Sequence, residues 1–102
     1  MNIVPNSNEQ EFRMTLYCEL MIKNSISLNY SEWCDFLEKY VWSFFDKKGI
    51  STKDFNSDDV GTINSKNMKT LIEYLKSINI SEERNNEIKE FLLNQEQGIT
   101  YS

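Results

Sequence analysis

Leu28-Asn29-Tyr30-Ser31 and Ile99-Thr100-Tyr101-Ser102 are near-copies of one another, and Gly61-Thr62-Ile63-Asn64-Ser65-Lys66 lies midway between them. Each holds a short β-prone piece centred on Leu28, Ile63 or Ile99. The spacing is regular: 35 residues from Leu28 to Ile63 and 36 from Ile63 to Ile99. A fixed period of this size marks a repeated supersecondary unit, in which a helix, a loop with one β residue and a second helix recur.

The segments between these pieces read as helices. From Glu9 to Ile22, Phe12, Leu16 and Leu20 recur every four positions, with Met14, Tyr17 and Met21 beside them. Asn29 or Ser31 can cap the next helix, with Glu32 three residues after Asn29 as in a capping box. That helix carries Trp33, Phe36, Leu37, Tyr40, Val41, Phe44 and Phe45, and it should stop near Asp46-Lys47-Lys48-Gly49. The polar stretch from Gly49 to Gly61 reads as a loop, with room for a helical turn from Ser51 to Phe55. Asn64 or Ser65 caps a helix whose face is Met68, Leu71, Ile72 and Leu75, and Asn79 ends it. Ser81 caps a last helix with Glu82 and Glu83 in its first turn and Ile88, Phe91 and Leu92 on its buried stripe. Gly98 breaks it. Residues 1–8 are polar with one proline and are expected to be a flexible lead, leaving a single helical domain over residues 9–102.

Composition excludes several kinds of function. The chain has 102 residues and a net charge of -5, with 39% hydrophobic and 26% charged residues. That balance is globular. The negative charge argues against nucleic acid, which needs a basic face. Histidine is absent, which removes the usual general base and the commonest metal ligand. Cys18 and Cys34 have neither CxxC spacing nor histidine company and are expected to be reduced packing residues. No apolar run is long enough to span a membrane, and no basic-then-apolar leader opens the chain. A cytoplasmic protein without catalytic groups or a cofactor is expected.

The helix-loop-helix period resembles the EF-hand proteins of the calmodulin superfamily. Leu28, Ile63 and Ile99 match the loop residue that pairs with a twin in the neighbouring loop. Glu32 followed by Trp33 matches the loop-ending glutamate and aromatic, Gly61 matches the turn glycine, and Asn56 and Asp58 match the first two ligand positions. Departures are as clear. The ligand positions of the first loop fall on Met21, Lys23 and Ser25. Those of the last fall on Leu92, Asn94 and Glu96, and Asn67 stands where the second loop needs its bidentate glutamate. A competing loop register runs from Phe45-Asp46 through Gly49 to Phe55. The resemblance implies an all-α fold of EF-hand-like pairs joined by short antiparallel β bridges. It implies loops that hold no calcium, with Asn56, Asp58 and Glu32 as degenerate remnants. The nearest likeness is to myosin light chains, which implies a subunit that grips a basic amphipathic helix, such as a myosin neck or tail segment.

The residues expected to line that grip are Met14, Met21, Trp33, Phe36, Tyr40 and Met68, with Glu82 and Glu83 at the rim. Trp33, Phe36, Tyr40 and Met68 equally suit an ordinary core, and Glu82, Glu83, Glu87 and Glu90 equally suit a solvated helix face. A reading of a different class stays open: a small acidic immunity or anti-defence inhibitor that blocks a basic protein. Antiparallel pairing between the neighbourhoods of Ile63 and Ile99 is what the first reading requires.

Overall fold

Ile3, Val4 and Pro5 form an apolar run too short for a helix and rich in β-branched residues. The computed structural model describes residues 1–6 and 26–102. In it this run is strand β1 (Asn2–Pro5) of a four-stranded antiparallel sheet, with β2 (Ile26–Ser27), β3 (Gly61–Ile63) and β4 (Ile99–Tyr101). The spatial order is β2-β1-β4-β3. Residues 2–5, expected to be a flexible lead, are therefore an inner strand, while residues 7 and 8 lie outside the described part.

Pro5 is tolerated there for a geometric reason. The amides of Asn2 and Asn6 donate to the carbonyls of Ser102 (3.3 Å) and Gly98 (2.9 Å). Antiparallel ladders alternate bonded and non-bonded positions, so Pro5, between them, needs no N–H toward β4. It also lies beyond the last β1–β2 pair, Ile3 with Ile26.

Ile63 and Ile99 stand opposite each other in the β3–β4 ladder, so the pairing expected from the repeat is present. Leu28 does not join them. Its amide and carbonyl bond Met1 instead, at 2.9 and 2.8 Å. The expected all-α class is corrected here: the described fold is mixed, a sheet with helices packed on one face. Alternation explains it. Ile3, Ile63, Ile99 and Tyr101 point inward and are buried, while Asn2, Thr62 and Thr100 point to solvent.

Three helices follow among the described residues. Helix α1 covers residues 30–48 in three consecutive parts: α-helical Tyr30–Phe36, π-helical Leu37–Trp42 and α-helical Ser43–Lys48. Helices α2 (Ser65–Lys76) and α3 (Glu83–Leu92) complete the layer. The capping box of α1 forms: the Asn29 side chain accepts from the Glu32 amide (2.8 Å) and Glu32 accepts from the Asn29 amide (3.0 Å). Gly49 ends α1 with φ +69°. Asn64 caps α2, which ends at Lys76 rather than Asn79. Helix α3 differs from expectation, since Glu82 rather than Ser81 is its N-cap and makes no side-chain cap bond. The expected helical turn from Ser51 to Phe55 is only a turn, closed by the Phe55 amide on the Thr52 carbonyl.

The π-helical stretch has a cause in the core. Trp33, Leu37, Val41 and Phe45 are all fully buried, one every four residues. In a regular α-helix such a row drifts around the axis by about 40° per step. The wider π turns oppose that drift and keep the row facing inward. Trp42 is then aimed at the 50s loop, where its Nε1 donates to the Phe55 carbonyl at 2.7 Å.

On α2 the stripe Met68, Leu71, Ile72 and Leu75 is buried as expected, and on α3 so are Ile88 and Leu92, with Phe91 half-buried. Trp33 stacks on Phe36 and meets the edge of Tyr101, at centroid distances of 5.9 and 5.2 Å. The Tyr101 hydroxyl donates to the Ser57 carbonyl at 2.6 Å. Gly61, expected to make a sharp loop turn, instead lies in β3 directly opposite Tyr101. A Cβ there would meet the Tyr101 hydroxyl and its Cζ. Gly61→Ala is expected to destabilise the protein by about 1–3 kcal/mol through overpacking, read as a lower urea midpoint at unchanged slope.

Burial pushes the Tyr101 phenol up to about 12. Its folded value lies above the unfolded value of about 10, so its contribution to stability is complete below about pH 10 and is lost as pH rises toward 12. Tyrosinate absorbance followed with circular dichroism is expected to show a late step from Tyr101, which ionises as the fold opens. Tyr101→Phe removes that late step.

Candidate functional site

Helix α3 carries Glu83, Glu87 and Glu90 at i, i+4 and i+7, which puts all three on one face. All three are exposed. The helix also carries two cations, and neither neutralises that face along its length. Arg84 turns toward α1 and the sheet. Its Nε donates to Glu32 (2.9 Å), Nη1 to Glu87 (2.7 Å) and Nη2 to the Ser27 carbonyl (2.6 Å). Lys89 is only 8% exposed, and its Nζ donates to the Ile78 carbonyl at 2.7 Å, beside the C-terminal end of α2. Like charges at i, i+4 cost a few tenths of a kcal/mol, and Arg84 relieves this only at Glu87. Glu83, in the first turn, gains from the helix dipole.

A polar seam fixes α3 against α1. The Asn85 Nδ2 donates to Asp35 at 3.1 Å. Lys39 bridges Asp35 (3.3 Å) and Glu82 (3.5 Å), and the Tyr40 hydroxyl donates to Glu82 at 3.4 Å. These partners hold three carboxylates below the usual range. Glu32 is lowered by the Asn29 amide and then by Arg84. Asp35 is lowered by Asn85 and then by Lys39. Glu82 is lowered by its own backbone amide and then by Lys39 and Tyr40.

The residues expected to grip a helix are dispersed. Trp33, Phe36 and Met68 are fully buried in the core, so they line no open groove among the described residues. Tyr40 is half-buried on the α1–α3 seam, and Glu82 and Glu83 are exposed at the start of α3. Met14 and Met21 lie outside the described residues, as does Cys18. Of the loop remnants, Glu32 is engaged by the capping box and by Arg84. Among the described residues no group of three or more acidic or cysteine side chains is placed to hold a metal ion. Burial, then Glu38 and Asp58, push the Cys34 thiol up from its ordinary value.

Two features have no local mark in the sequence. Arg84 and Asn85 reach partners 52 and 50 residues away, at Glu32 and Asp35. Phe44 stacks on Tyr74 at 4.2 Å between α1 and α2, beside an open depression of about 290 Å³ rimmed by Lys48, Thr70 and Glu73. Compared with protein-family models, curated proteins and solved structures, the chain matches none. No helix among the described residues is long and apolar enough to cross a membrane.

Glu32, Asp35 and Glu82 have folded values below their unfolded ones. Each therefore contributes stability above the ordinary carboxylate range and loses it as pH falls through the folded value. The urea midpoint is expected to fall as pH drops through and below the ordinary carboxylate range of about 4. The double variant Glu32→Gln, Asp35→Asn is expected to start from a lower midpoint and to show a flatter acid limb.

Proposed function

We propose that this chain is a non-catalytic cytoplasmic protein that binds, and by covering it blocks, a basic surface of a partner protein. The observation that carries this reading is the one-signed face of α3. Glu83, Glu87 and Glu90 point outward with Glu82 beside them; of the helix's own two cations, Arg84 pairs with Glu87 alone on this face while also bonding Glu32 and Ser27, and Lys89 is turned inward. A net charge of -5 adds long-range attraction for a cationic partner and raises the association rate. The polar seam through Asp35, Lys39, Glu82 and Asn85 holds the face in place before binding, which lowers the entropy cost of association. Such a protein is of the immunity or anti-defence inhibitor class, acting by charge and shape without calcium or another cofactor.

A second reading keeps the basic partner but makes it an amphipathic helix, as for the myosin light chains that the loop residues resemble. The Ile63–Ile99 pairing favours it. Burial of Trp33, Phe36 and Met68 counts against it, because an apolar helix face needs an apolar groove.

The test is affinity capture from the cells that make the protein, comparing the wild type with the triple variant Glu83→Gln, Glu87→Gln, Glu90→Gln, followed by calorimetry on the recovered partner. A basic folded partner is expected, bound about tenfold more weakly by the triple variant and at raised salt. Equal retention by the triple variant, or an acidic partner, overturns the reading. Full affinity for an isolated helical peptide of the partner moves the conclusion to the second reading.

A further inference from the structure

We draw no further inference here: the strongest candidate, the open aromatic shelf where Phe44 stacks on Tyr74 between α1 and α2, carries one cation and one carboxylate at its rim, Lys48 and Glu73, and nothing in the structure shows what covers it.

Discussion

Strand β4 is paired on both edges, with Ile3, Val4 and Pro5 of β1 opposite it on one side and Gly61, Thr62 and Ile63 of β3 on the other. Everything else in the described fold leans on that double pairing. Ordering a three-residue strand costs about 3–6 kcal/mol of backbone entropy. One or two buried side chains return about 1.5–3 kcal/mol each. None of these strands is therefore stable alone. Together they bury Ile3, Ile63, Ile99 and Tyr101 on one face, and that shared face is what α1, α2 and α3 cover.

Tyr101 joins the sheet to the helices. Its ring crosses Gly61, its edge meets Trp33, and its hydroxyl ties down the loop at Ser57. From Trp33 the buried row continues down α1 through Leu37, Val41 and Phe45, and the π-helical stretch keeps that row in register with the core. The same stretch bears Lys39 and Tyr40, both of which hold Glu82 at the start of α3. The orientation of the acidic face is thus linked, through α1, to the packing around Tyr101.

The chemistry of that face follows from which charges the fold uses internally. Arg84 divides its bonds among Glu32 on α1, the Ser27 carbonyl of the sheet and Glu87, and Lys89 bonds beyond the end of α2, so the two cations neutralise the outward stripe only at Glu87. Tertiary hydrogen bonds hold Lys89 and most of the Arg84 guanidinium elsewhere, which leaves Glu83 and Glu90 available to a partner.

Much of the local structure was legible in the sequence. Asn29 and Glu32 form the capping box, Asn64 caps α2, Gly49 ends α1, and Met68, Leu71, Ile72 and Leu75 make a buried stripe, because each of these is decided within about two turns of chain. The Ile63–Ile99 pairing was legible from the repeat spacing. The fold class was not, and an all-α reading was the result. A four-residue strand with a proline in it, Asn2–Pro5, carries only the short β-branched pair Ile3-Val4 as a local signal, and its partners are distant: β2 more than twenty residues on and β4 nearly a hundred. The burial of Trp33, Phe36 and Met68, rather than their display in a groove, also depended on how the layers met. So the sequence by itself determined the three described helices, the N-caps of α1 and α2 and the negative charge, which are short-range properties. The tertiary structure alone decided the β1 and β2 strands of the sheet, the bonds of Arg84 to Glu32 and Ser27 and of Lys89 to Ile78, and hence the site, because pairing and charge compensation between distant residues exist only once the chain has closed on itself.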